Sequence, residues 1–141
     1  MEESGFIAET ITGWLTTGVA ASSIGVVARL EAQLVGIKAA LDAASIEWAG
    51  LGASRSGKKV HVGTMHSSKG LEFARLMIAG ASADRLPPSV AVTPQTDDAT
   101  QHAFDLQRER CLLYVASTRA RDELVVTGVG TPSELLPRLV G

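Results

Sequence analysis

The spacing of apolar positions changes several times along the chain, and each change marks an element. Phe6, Ile7, Ile11, Trp14 and Leu15 recur at intervals of three and four, which predicts a helix over 4–17 with one apolar face. Gly18 to Ser23 reads as a turn. Ile24 to Arg29 (IGVVAR) is a short apolar run between turn residues, as expected of a strand buried on both faces. Leu34, Ile37 and Leu41 restore helical spacing over 31–44, and Gly50 to Lys59 (GLGASRSGKK) is predicted to be an exposed loop. Val60 to Met65 and Leu76 to Ala79 read as strands, separated by a short turn. Residues 80–102 hold prolines and paired acids with little periodicity, so a long loop is expected, of a length that is often functional.

A helix is predicted from Phe104 to Thr118, with Leu112, Leu113, Val115 and Ala116 as its apolar face, and a strand from Leu124 to Thr127. Tyr114, on the same helix, is expected to pack in the core. Thr131-Pro132-Ser133-Glu134 has the form of a capping box with proline at the first helical position, predicting a last short helix. Helices alternating with apolar strands imply one α/β domain over 1–141, a mostly parallel sheet with helices on both faces.

Composition narrows the function. Hydrophobic residues make up 45% and charged residues 20%, an ordinary globular mix. Thirteen Lys and Arg against fifteen Asp and Glu give 13 − 15 = −2, which excludes a basic DNA-coating protein while leaving room for a local basic groove. The single cysteine, Cys111, excludes an internal disulfide and a multi-thiolate metal site, and suits a reducing, cytoplasmic setting. It is expected to be a small buried hydrophobe on a helix. The opening MEESGF is acidic, unlike a secretory or organellar signal. Thr10 to Ala28 carries no charge, but six hydroxyl side chains and three glycines interrupt it, so no membrane span is expected.

Two stretches imitate nucleotide sites. Gly52 to Lys59 (GASRSGKK) approaches the phosphate-loop pattern, yet Lys59 stands where a hydroxyl must meet Mg²⁺, and the segment precedes a strand instead of opening a helix. Asp97-Asp98 could pass for metal-binding acids at a strand end, but Pro94 and polar residues separate the pair from Val90-Ala91-Val92. The chain therefore has no phosphate loop of its own, and no metal site is expected in it.

Two other segments carry chemistry. In Val62 to Phe73 (VGTMHSSKGLEF), a strand ends in Thr64, His66, Ser67, Ser68 and Lys69, then Gly70. Hydroxyls, a histidine and a backbone freed by glycine suit contacts to phosphate or sugar. In Gln107 to Thr127 (QRERCLLYVASTRARDELVVT), a helix closes with Arg119 and Arg121; the helix dipole alone accounts for Arg121.

TMHSSKGLEF followed by RERCLLYVASTRARDELVVT resembles motifs V and VI of superfamily 1 helicases of the UvrD/Rep type, and IGVVARLEAQLVGIKAAL resembles their motif IV. The blocks come in the family's order. The resemblance implies a second RecA-like domain of the P-loop NTPase type, lacking its own phosphate loop. It also implies ATP with Mg²⁺, bound mainly by an N-terminal RecA-like motor domain in the same full-length chain, and single-stranded or duplex DNA as partner. Carried across, Arg119 and Arg29 would reach the γ-phosphate, where a planar guanidinium can engage two oxygens. Gly70 and Glu72 would line the phosphates and ribose, while Thr64, His66, Ser67 and Lys69 would face the DNA. The chain alone would be inactive. Two features depart from the family. Ala28 replaces the aromatic expected to stack on adenine, and only the residues from Ala43 to Val62 join motifs IV and V, so an accessory insertion is absent. These departures suit a second reading, a non-catalytic helicase-derived module that binds nucleic acid or protein.

Overall fold

The computed structural model describes residues 2–53 and 57–137. Its elements are α1 (Glu3–Thr16), β1 (Ile24–Ala28), α2 (Leu34–Ala43), β2 (Trp48–Gly50), β3 (Val60–Thr64), β4 (Phe73–Ile78), α3 (Ala99–Ser117) and β5 (Ala120–Val126). The five strands form one sheet in the order β2-β3-β1-β4-β5, and every pairing is parallel.

The period-2 alternation of β1 divides the core between the two faces of this sheet. Ile24, Val26 and Ala28 are packed with Ile7, Ile11 and Trp14 of α1 and Leu34, Ile37 and Leu41 of α2. Val27 belongs to the other layer, with Phe73, Leu76 and Ile78 of β4 and Leu113 and Ala116 of α3. Gly25 shares that second face. A Cβ there would lie 2.8 Å from the Phe73 ring, so glycine is what lets the ring lie flat on β1. Gly63 plays the same part beneath Leu51.

Strand β2 was not anticipated, because it is short and half-exposed and carries no alternation. Strands β4 and β5 begin earlier than their apolar residues indicate, since Arg75 and Glu123 pair in the ladder and the polar residues 121–122 fall inside β5. Helix α3 also starts earlier, at Ala99. Asp98 is its N-cap, accepting from the Gln101 N–H at 2.9 Å, which gives the second of the paired acids a structural role. The residues expected to open a last helix do not do so within the described part. Pro132 instead bridges Ser82, the Ser133 N–H bonds to Ala81 O, and the Ser133 hydroxyl donates to Leu86 O. Of GASRSGKK, residues 54–56 lie outside the described residues, and the remainder does precede β3. Among the described residues no helix is long and apolar enough to cross a membrane.

Two α3 residues face the wrong way for the core reading. Tyr114 is 71% exposed and Cys111 is also exposed. The buried stripe of the helix is Asp105, Glu109, Leu113 and Ala116, spaced by four, four and three, and half of it is acidic.

Candidate functional site at the two edges of the sheet

Strand β3 ends at the carboxyl edge, where Thr64 pairs with Ala28 of β1. The Met65 N–H donates to Ala28 O at 2.9 Å, and a short helical turn, His66–Ser68, follows. The buried Ser68 hydroxyl closes that turn on Met65 O at 2.6 Å. Gly70 takes φ +76°, the left-handed region where a side chain is strained, and releases the chain toward Phe73 at the start of β4. Residues 65–72 thus carry the chain from the carboxyl edge back to the amino edge on the α3 side, with Met65 and Leu71 seated in that core layer.

This crossing divides the candidate residues into two groups. At the carboxyl edge lie Thr64, His66 and Ser67. Their side chains face solvent in part or fully, and the Thr64 and Ser67 hydroxyls are 3.0 Å apart. Lys69 and Gly70, both exposed, sit on the crossing. At the amino edge lie Glu72, Arg119 and Arg121. The Phe73 N–H donates to Arg119 O at 2.8 Å, which fixes the end of α3 against the start of β4.

The Arg119 guanidinium rests on its own helix. Nε donates to Val115 O at 3.3 Å and Nη2 to the Thr118 hydroxyl at 3.0 Å. Between Phe73 and Arg75 on β4, β5 advances from Ala120 to Glu123, one residue more, so a bulge lies at 121–122. Arg121 is therefore a strand residue, not a helix-terminal one. Its Nε and Nη2 reach the Asp122 carboxylate at 3.2 and 3.1 Å. Asp122 raises the Arg121 pKa, chiefly by hydrogen bonding, with a smaller push from Glu72. Arg121, followed by Arg75, lowers that of Asp122.

Arg29 does not join Arg119. It follows β1 at the carboxyl edge and is largely buried, its Nε and Nη2 forked onto Glu109 Oε1 and Oε2 at 2.8 and 3.1 Å. Glu109 lies eight residues (117 − 109 = 8) before the end of α3 at Ser117, about 12 Å of helix, and Arg119 two residues beyond that end. Arg29 and Arg119 thus lie at opposite edges in this structure, Arg29 held in a buried ion pair. Ala28 is fully buried on the α1–α2 side.

Sequence reasoning missed both buried acids of α3. Asp105 accepts from the Thr93 N–H (2.8 Å), Gln101 Nε2 (2.9 Å) and Arg108 Nη2 (3.0 Å), and thereby holds the preceding loop on the helix. These bonds, led by that from the Thr93 backbone, lower its pKa to about 2. The readable signal was a buried-face spacing carrying acids where apolar residues belong. Among the described residues no group of three or more His, Cys, Asp or Glu could hold a metal.

The family described as UvrD-like helicase C-terminal domain matches residues 49–130, more than half of the chain. Curated relatives named ATP-dependent DNA helicase PcrA share 39% identity over 64 residues in Staphylococcus aureus and 37% over 68 residues in Staphylococcus epidermidis. These matches take in 45% and 48% of this chain but only 8% of either relative. A solved structure, the C-terminal domain of a possible DNA helicase from Lactobacillus plantarum WCFS1, superposes over 94% of this chain and 70% of its own. Its TM-score is 0.69 at 20% identity, a likeness of fold. Matched by that family over more than half its length and built on a parallel sheet, the chain belongs to the UvrD-like helicase C-terminal domains.

Proposed function

We propose that this chain is the second motor half of an ATP-dependent DNA helicase or translocase, completing an ATP site held mainly by an N-terminal RecA-like domain of the full-length protein. The observation that carries this reading is the Phe73–Arg119 hydrogen bond, which brings Glu72 and Arg119 to one edge of the sheet. Arg119 exchanges its weak bonds to Val115 and Thr118 for the γ-phosphate. Charge spreads over those oxygens as the bond loosens, and a guanidinium there contributes roughly 10³–10⁵ in rate. Gly70 and Glu72 line the phosphates and ribose, the carboxylate accepting from a ribose hydroxyl. The resemblance gives Arg29 the same target, which it would reach by leaving its fork with Glu109.

The Mg²⁺ that accompanies ATP would be held mainly by that N-terminal domain. Thr64, His66 and Ser67 meet single-stranded DNA at the opposite edge, with Lys69 on the crossing between. There a ring can stack on a base and hydroxyls can bond phosphate. Because γ-phosphate contacts exist only before hydrolysis, the cleft closes on ATP and opens on product, which moves the DNA-facing edge.

Fluorescence anisotropy of a labelled oligonucleotide with the isolated chain, beside an ATPase assay of the same material, tests this division. The expected result is binding that weakens with salt and falls further in His66→Ala, with no ATP turnover. Turnover by pure chain contradicts the half-site. Binding indifferent to His66 contradicts the DNA-facing edge, and a non-catalytic protein-binding module then becomes the better account.

A further inference from the structure

We propose that the chain binds a phosphorylated sugar in a pocket at the amino edge of β1, β2 and β3, apart from both groups of candidate residues above. Three segments enter their strands there: Ser22 just ahead of β1, Glu47 ahead of β2, and Lys58 and Lys59 ahead of β3. Together with His61 they border a pocket of about 260 Å³, several times the roughly 30 Å³ that one water occupies.

His61 is the second residue of β3 and is only 1% exposed, yet it reaches the pocket wall. Its Nδ1 lies 3.1 Å from Gly50 O, and a carbonyl only accepts, so Nδ1 carries the ring proton. The neutral imidazole then presents Nε2 as a bare lone pair, and that nitrogen has no partner among the described residues. A buried acceptor in this state is costly until a donor meets it. Lys58 and Lys59 are exposed and have no ion-pair partner among the described residues. Against the single carboxylate of Glu47 they give the lining 2 − 1 = +1, in a chain whose net charge is −2.

Two ammonium groups repel a metal ion, and an anion with no hydrogen to give is repelled by the Nε2 lone pair. A phosphorylated sugar answers both. Its doubly charged phosphate lies against the lysines, and a sugar hydroxyl donates to Nε2. Lys58 and Lys59, which do not open a helix as a phosphate loop must, serve here by side-chain charge alone. The same unit is found in a free sugar phosphate or nucleotide and at the 5′-phosphorylated end of an RNA strand.

NMR titration of the chain with ribose 5-phosphate at pH 8 tests this, read at the His61 ring and the Lys58 and Lys59 amides. Saturable shifts centred on this pocket are expected. Affinity falls about 3- to 10-fold in His61→Asn, whose amide keeps the bond to Gly50 O but lacks an acceptor at the Nε2 position. It falls about 10-fold or more in Lys58→Gln with Lys59→Gln, an exposed pair whose loss leaves the core intact. Methyl phosphate, with no hydroxyl to donate, binds the parent chain more weakly than ribose 5-phosphate does. An unmoved His61 ring, affinity indifferent to the lysine pair, or equal binding of the two phosphates overturns the proposal. A 5′-phosphorylated oligoribonucleotide that reproduces the His61 shift identifies a strand end as the source of the sugar phosphate. One that leaves His61 unmoved, where ribose 5-phosphate moves it, identifies the free small molecule.

Discussion

Gly25→Ala isolates the packing that seats the start of β4. The new Cβ would meet Cδ1, Cγ and Cδ2 of Phe73 at 2.8, 2.9 and 3.0 Å. Carbon atoms in contact prefer about 3.5–4.0 Å, so the ring must withdraw by roughly 1 Å. It has nowhere to go. Phe73 is 1% exposed and belongs to the same core layer as Leu76, Leu113 and Ala116. Overpacking of this kind costs about 1–3 kcal/mol, which for a domain of this size lowers Tm by roughly 3–12 °C. Differential scanning calorimetry of Gly25→Ala measures it. Gly36→Ala serves as the control: nothing lies within 4 Å of its Cβ in α2, so it raises stability by about 0.5–1 kcal/mol. In a Phe73→Leu background the cost of Gly25→Ala shrinks, since the two sites share one contact. A Tm for Gly25→Ala equal to the parent's, or the same cost whatever stands at 73, refutes the packing argument.

Three other outcomes follow from the buried polar groups and the exposed arginines. Glu109→Ala strands the Arg29 guanidinium in a site where it is 13% exposed, and costs about 3–5 kcal/mol by urea unfolding; a loss below about 1 kcal/mol contradicts a buried pair. Asp105 titrates near 2 when folded, below its unfolded value of about 3.9. Its stabilisation is therefore complete above about pH 4 and is lost as pH falls toward 2. The stability gap between parent and Asp105→Asn should accordingly narrow from pH 5 to pH 2, and a gap constant across that range removes the network's role. Asp122→Asn frees Arg121 and Arg75 at the bulge, so binding of inorganic pyrophosphate to the chain should tighten, as read by NMR shifts at Arg121; weaker binding contradicts the assignment of that edge to anions.

Much of this fold is written in hydrophobic spacing. Ile7, Ile11 and Trp14 of α1, and Leu34, Ile37 and Leu41 of α2, are buried where their intervals of three and four place them. Strand β1 reads equally well, because a strand covered on both faces is apolar throughout. Legibility ends where polar residues carry structure. Helix α3 buries Asp105 and Glu109, which periodicity treats as solvent-facing; Leu113 and Ala116 are buried as their spacing indicates, while Tyr114 and Cys111 on the same helix are exposed. Thr131 stands at the cap position of its box, yet the segment is held by Pro132 bridging Ser82 and by the Ser133 hydroxyl, which donates to Leu86 O while accepting from the Leu135 N–H, and the long-range partners are ones that local signals do not record.

The motifs themselves stood out in the sequence, but their distribution over two edges did not. Spacing along the chain does not say that 65–72 cross the whole sheet. An arginine after an apolar strand looks alike whether it faces a ligand or, as Arg29 does, a buried carboxylate.

The central claim is that Arg119 supplies charge to a nucleotide held by another domain. Single-turnover ATP hydrolysis by the full-length protein, with Arg119 and then with Arg119→Ala, tests it most directly, provided ATP affinity is measured alongside. The account predicts a fall in the hydrolysis rate of roughly 10³–10⁵, with ATP affinity far less affected. A rate unchanged by the substitution, or a loss of affinity equal to the loss of rate, contradicts it.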